Sequence, residues 1–128
     1  MMESLLKQKT VLNHSLALTI SDRDKFGTEI DKRKVLQFLS KEMCTSFGGM
    51  KRWVEDGIYL NKNGDMIYEV NTILKSWFAD DQKEKVNTIL KQYFVLLSTE
   101  LNQEAAAYWI DNDLFMNDLD DNDYRNLE

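Results

Sequence analysis

The residues equipped for chemistry are few. There is one histidine, His14, and one cysteine, Cys44. With a single imidazole, a Ser-His-Asp triad or a histidine metal site would have to draw every other member from Asp and Glu. Cys44 lies near the end of a helical pattern, beside Thr45 and Ser46. A helix C-terminus is the wrong end to stabilise a thiolate, and a free cysteine usually behaves as a small buried hydrophobe. Nucleophilic catalysis by a Cys44–His14 pair is therefore not expected, and no catalytic residue is assigned. Carboxylates remain. Glu55, Asp56 and Glu69 sit on one putting-out and returning stretch of chain, and if they converged in a cleft with a tyrosine they could do acid–base work.

Metal and phosphate signatures fail on spacing. Asp118-Leu119-Asp120-Asp121-Asn122-Asp123 has the look of a calcium loop but lacks its sixth-position glycine, and no twelfth-position Glu follows. Gly48-Gly49 precedes a strand pattern rather than a helix, so it is no phosphate loop. No metal or cofactor is expected. Trp53, Tyr59 and Trp77, with Lys51, Arg52 and Lys75 nearby, could stack on nucleic-acid bases. The glycine-aromatic signature of that module is absent, however, and a formal net charge of −6 repels a phosphate backbone. Nucleic-acid binding is disfavoured. Asp118, Asp120, Asp121 and Asp123 form an acidic end, read as a solvated tail or as a docking strip for a basic partner.

Periodicity places these residues. Residues 14–20 alternate as a first strand, followed by a polar loop from Ser21 to Gly27. Thr28-Glu29-Ile30-Asp31 resembles a capping box opening a helix with Val35, Leu36, Phe38, Leu39 and Met43 on its inner face. Gly48 and Gly49 end it. Met50 to Leu60 reads as a strand in which Gly57 suggests a bulge or a close backbone contact. Asn63-Gly64 marks the turn, and Met66 to Phe78 is the return strand. The even positions of that strand, from Met66 to Phe78, should face the helices; the odd positions, Ile67 to Trp77, are a mixture of apolar and charged residues. Asp80-Asp81 with Glu84 caps a second helix carrying Val86, Ile89, Leu90, Tyr93, Phe94, Leu97 and Leu101. Ala105 to Ile110 forms a last strand, and Leu114-Phe115-Met116 pairs briefly with it.

This order, strand-helix-strand-strand-helix-strand, points to an α+β fold: a ferredoxin-like βαββαβ sandwich, its antiparallel sheet carrying both helices on one face. The 128 residues suit one domain at 14–116, with an extension at 1–13 and the acidic tail at 117–128. No apolar run approaches a membrane span and no signal-peptide core stands at the N-terminus, so no membrane partner is expected. A lone cysteine suits a reducing cytoplasm.

The polar loop with Gly27, the helix ending in Phe47-Gly48-Gly49, Gly57 before an aromatic strand, Asn63-Gly64, Glu69 and Leu101-Asn102-Gln103-Glu104-Ala105 together resemble small uncharacterised bacterial and phage proteins, grouped as domains of unknown function. The resemblance implies a ferredoxin-like fold and an accessory or host-interaction role on a mobile element. It implies no catalytic residues.

The expectation is therefore a non-enzymatic binding or inhibitor protein, a homodimer or higher oligomer with a protein partner. Trp53, Tyr59, Ile67, Ile73 and Trp77 on the outer sheet face would supply an apolar interface. Two alternatives stand beside it: a nucleotide or single-stranded RNA binder using the same aromatic face, and a small enzyme with an acid-lined cleft.

Overall fold

The computed structural model describes residues 11–120. The architecture is α+β, a five-stranded antiparallel open sheet with two helices. Strand β1 (His14–Ser21) leads to helix α1 (Arg33–Phe47), and the long hairpin of β2 (Lys51–Leu60) and β3 (Met66–Phe78) follows. A 3-10 turn at Asp80–Gln82 enters helix α2 (Lys83–Thr99), then come β4 (Ala105–Ile110) and β5 (Asp113–Asp118). The strands lie in the order β2-β3-β1-β4-β5.

Both helices cover one face. Leu16, Leu18 and Ile20 of β1, Leu74 and Phe78 of β3, and Ala106 and Tyr108 of β4 meet Val35, Leu39 and Met43 of α1 and Val86, Ile89, Tyr93, Phe94 and Leu97 of α2. Each such buried side chain contributes roughly 1.5–3 kcal/mol, which is why helices of ordinary propensity hold their places. Packing runs from α1 onto β3 and from α2 onto β1 and β4, leaving β2 outside the helical cover. Leu119 also belongs to this core, at 1% exposure.

Local chemistry explains the element ends. Gly48 takes φ +91°, a left-handed conformation that a side chain resists, and its N–H closes on the Cys44 carbonyl to stop α1. The hairpin loop is organised by Asn61, whose side-chain oxygen accepts from the N–H groups of Asn63 and Asp65 at 3.0 and 2.9 Å.

Several expectations are corrected. The first helix begins at Arg33, not near Thr28, because the preceding segment is held as a loop: Asp24 accepts from the N–H groups of Phe26 and Thr28, and Arg23 bridges to Glu29. Phe38 is 42% exposed, off the inner stripe. At the second helix it is Gln82, rather than Glu84, that reaches back to the Ala79 N–H at 2.8 Å. The sheet has five strands where four were expected. Asp111 adopts a positive φ of 56°, which Asp tolerates better than most residues, and the tight turn lets β5 pair over its whole length instead of briefly. Along β3 only the second half follows the expected facing: Thr72, Leu74, Ser76 and Phe78 are buried, whereas Met66, Tyr68 and Val70 extend past the helices and are exposed.

Candidate active site

The face without helices is not flat. Strands β1 and β4 pair only where Leu16, Ala17 and Leu18 meet Ile110, Trp109 and Tyr108. Beyond that point they part, and side chains span the gap. The Tyr93 hydroxyl lies 2.7 Å from the Thr19 carbonyl and 2.9 Å from that of Ala107, sharing its one proton between two strands. Burial pushes that phenol well above its usual range, so it is a donor at every relevant pH. Further along, the Gln103 amide donates to the Ser21 and Arg23 carbonyls, both at 3.0 Å. Backbone groups that lost their ladder partners are thereby satisfied.

A pocket of about 230 Å³ occupies this parting. It draws side chains from all five strands, so the sheet curls around it. Tyr59, Glu69 and Asn71 come from the hairpin, Thr19 from β1, Ala107 and Trp109 from β4, and Leu114 and Met116 from β5, with Arg23 at one end. The curl is fastened at its rim. The Lys62 ammonium, from the β2–β3 loop, stands 3.0 Å from Asp118 and 3.1 Å from Asp120, and Lys25 lies 3.4 Å from Asp120.

Gly57 makes room for an amide of the pocket. The β2–β3 register runs unbroken from Lys51↔Lys75 to Leu60↔Met66, so Gly57 is no bulge; it stands opposite Glu69. A Cβ there would lie 2.4 Å from the Asn71 amide nitrogen, whereas Glu69 Cγ and Oε1, at 3.4 Å, would stand at ordinary contact distance. The missing side chain is the space that the Asn71 amide occupies. Gly27 does similar service for Ile67, whose Cδ1 would be 3.0 Å from a Cβ on a backbone at φ +84°.

Tyr59 lies near Glu104, which is buried at 7% exposure. Burial first, and then the charges of Glu104 and Glu69, push the Tyr59 phenol up to about 12, so it is a hydrogen-bond donor and not a base at neutral pH. Thr19 Oγ1, Arg23 Nε and Asn71 Oδ1 are buried atoms without a hydrogen-bond partner, and all three residues line this pocket. Leaving one such group unpaired costs about 1–3 kcal/mol; Arg23 Nε has the Asp22 carboxylate 3.8 Å away as an ion-pair neighbour.

The expected interface residues share this face but not one environment. Tyr59 enters the pocket, and Ile67 and Ile73 are covered within the chain, at 6% and 2% exposure. Trp53 is 41% exposed and its indole donates to Glu55 at 3.3 Å. Trp77 lies beneath the ammonium groups of Lys75 and Lys51, at 5.0 and 5.7 Å. Of the three hairpin acids, Glu69 points into the pocket, whereas Asp56 stands on the opposite face of β2, paired with Val70. Asp118 and Asp120, expected in a tail, are tied to Lys62; Asp121 and Asp123 lie outside the described residues. Thr19, Asn71, Gln103 and Trp109 were not singled out from sequence. The alternation of Ala105, Ala107 and Trp109 was the available signal: two small side chains that hollow a strand face, then a large one that bounds it.

His14 and Cys44 stay apart. The imidazole is clamped between Asp80 and Asp111 (3.1 Å to the latter) and stacks on Phe78 at 5.3 Å, while Cys44 is exposed rather than buried. Both carboxylates, as hydrogen-bond partners, raise the His14 pKa. Among the described residues no three His, Cys, Asp or Glu side chains could hold a metal ion. Nor is any described helix long and apolar enough to cross a membrane.

No protein-family model matches the chain, and no curated protein matches it. Solved structures do. A phage SAM lyase in complex with S-methyl-5'-thioadenosine superposes with a TM-score of 0.65 at 10% identity, covering 87% of this chain and 95% of that one. A phage SAM lyase in its apo state gives 0.58 at 14% identity, covering 82% and 88%. At such identities the likeness is one of fold. It nonetheless overturns the expectation of a non-enzymatic binding or inhibitor protein: the fold this chain adopts is one on which an enzyme is built.

Proposed function

We propose that this chain is a small enzyme that cleaves a carbon–sulfur bond in a sulfonium nucleoside of the S-adenosylmethionine class, in the pocket holding Tyr59, Glu69 and Arg23. The single observation that carries the reading is the composition of that pocket. A carboxylate (Glu69) and a guanidinium (Arg23), whose Nε makes no hydrogen bond though Asp22 stands 3.8 Å from it, line one partly enclosed hollow, together with Thr19 Oγ1 and Asn71 Oδ1, which also lack a hydrogen-bond partner. S-adenosylmethionine carries a matching pair, a sulfonium cation and a carboxylate a few bonds away. Glu69 takes the cationic end and Arg23 the carboxylate. The shared fold with phage SAM lyases supports the same choice of substrate.

Release of S-methyl-5'-thioadenosine breaks the bond between sulfur and the γ-carbon of the methionine chain. Sulfur keeps the electron pair and becomes a neutral thioether. A lyase consumes no water, so the electrons replacing that bond come from within the substrate. Either the substrate carboxylate closes onto the γ-carbon, or a neighbouring C–H bond supplies them and Glu69 accepts the proton. In the first route the residues here bind and orient; in the second Glu69 also takes the proton. Tyr59, held protonated, offers the pocket a hydrogen-bond donor.

The test is direct. Purified protein incubated with S-adenosylmethionine should release S-methyl-5'-thioadenosine, measured by chromatography, and Glu69→Gln should slow release by about a hundredfold, the scale of one positioned acid–base or charged group. No product from the wild-type protein removes the proposal.

Two finer readings accompany it. We read β2-β3-β1-β4 with both helices on one side as a ferredoxin-like core extended by β5, and the chain as a protein of phage type. Self-association is better supported on the helix-side surface of the hairpin, where Val54, Ile58, Leu60, Met66 and Tyr68 are each at least 55% exposed, than on the reverse face. Light scattering decides it: a monomer at tens of micromolar ends that reading.

A further inference from the structure

A second hollow, of about 310 Å³, adjoins the first on the same sheet face, and Trp109 lines both. Either hollow alone is at or below the size of an ordinary small-molecule site; joined, they fall well inside that range. Trp53 on β2 and Trp109 on β4 line opposite ends of the second one, with Ile73 of β3 and Ala17 of β1 between them. The register accounts for this: Trp53 pairs with Ile73, Ile73 with Thr19, and Ala17 with Trp109, so the two indoles bracket an apolar stretch two strands wide. The Trp53 ring is held at its N–H by Glu55, yet the residue is 41% exposed, so an edge is anchored while much of the ring surface is open to a partner.

An exposed indole beside an apolar floor takes a flat aromatic ring stacked on it. The charge of the hollow restricts which one. The lining cation is Lys75, and its ammonium lies over the Trp77 ring, 5.0 Å from the centroid. Against it stand two lining carboxylates, Glu55 and Asp111. A phosphate brought here meets net negative charge; a neutral or cationic group does not. The Asn112 amide at the rim offers a donor and an acceptor side by side, the pattern that a purine edge presents in reverse.

We propose that the slot between Trp53 and Trp109 holds the purine ring of an uncharged or cationic nucleoside, whose remainder passes Trp109 into the Glu69 pocket, and that it rejects phosphorylated nucleosides. The inference rests on the substrate class proposed above and adds where the ring sits and which nucleosides are excluded. It assigns Trp53 a binding role that no step of the bond cleavage requires.

Calorimetric titration of the full chain with adenosine and with adenosine monophosphate tests it. Adenosine should bind, and Trp53→Ala should weaken it on the order of tenfold or more, the size of one base–aromatic stack. Trp53→Phe should keep most of the affinity, which separates loss of stacking from loss of fold. Val54→Ser, on the opposite face of the same strand, should leave binding unchanged. Adenosine monophosphate should bind more weakly than adenosine, with the gap narrowing as salt is raised. Three results overturn the proposal: no adenosine binding at millimolar concentration, equal binding by a folded Trp53→Ala, or tighter binding of the monophosphate. Adenosine lacks a sulfonium, so the titration reads the slot independently of catalysis. Binding that depends on Trp53 without any cleavage of S-adenosylmethionine leaves the slot and removes the lyase. Cleavage that is indifferent to Trp53→Ala does the reverse.

Discussion

Replacing Gly57 by alanine should separate stability from activity, because the added methyl lands on the pocket and not on the backbone. An ideal Cβ at Gly57 lies 2.4 Å from Asn71 Nδ2, and ordinary contact begins near 3.4 Å, so the amide must retreat by about 1 Å. That amide is the far end of a flexible side chain. Its displacement costs roughly 0.5–1.5 kcal/mol of rotamer strain. Alanine returns about 0.5–1 kcal/mol over glycine in a strand. The two nearly cancel, and a net change within about 1 kcal/mol moves the unfolding midpoint by less than about 5 °C in a domain of this size. The pocket has no such compensation. Asn71 is the residue pushed, toward a pocket it shares with Glu69, and a displacement of about 1 Å in a positioned group can cost about a hundredfold in rate. Thermal unfolding followed by circular dichroism, alongside chromatography of released S-methyl-5'-thioadenosine, reads both quantities on one preparation. The expected pair is a nearly unchanged midpoint with kcat/KM lowered ten- to a hundredfold. Unchanged turnover would show that Asn71 does not position the substrate. A collapse of the midpoint by tens of degrees would show that Asn71 is locked in place.

Two further outcomes follow from the same geometry. Tyr93→Phe strands two buried carbonyls, Thr19 and Ala107, and should lower stability by about 1–3 kcal/mol in urea unfolding; a loss under half of that range's lower end would mean the gap closes by itself. The His14 clamp should make stability fall as pH rises. The His14 pKa is raised in the folded protein, so its contribution is complete below the unfolded value of 6.5 and is lost as pH climbs through the raised one, while Asp80 and Asp111, both lowered, stay ionised throughout that window. Melting curves taken between about pH 5 and pH 9 should show this slope in the wild type and a flatter one in His14→Gln; equal slopes refute the clamp.

What could be read from the chain and what could not divides along the range of the interactions. The stripe Val86, Ile89, Leu90, Tyr93, Phe94 and Leu97 is visible because a helix repeats its inner face every three or four residues, and the packing follows it residue for residue. The bounds of β3 and β4 are equally legible, set by turn residues on either side. The start of the first helix is not, since the loop before it is held by Asp24, Arg23 and Glu29 acting across space. The mixed odd face of β3 announces that something other than core or solvent lies against it. Its meaning, however, depends on Thr19, Gln103 and Trp109, which are brought there by strands distant in sequence. A greasy face of unknown cover reads as an interface between copies until the curl of the sheet shows that Ile67 and Ile73 are covered from within. Glu69 and Tyr59 could be named from the chain; that they share one hollow could not.

The phenol that bridges the parted strands belongs to a helix on the other side of the sheet. The floor of the hollow is thus pinned from behind, like a tent wall drawn out by a guy rope. Sliding α2 along its axis, even by a fraction of a turn, would drag the Thr19 and Ala107 carbonyls with it and change the width of the opening. The width of a hollow on one surface of this small protein is thus set from the reverse surface, through a single oxygen atom.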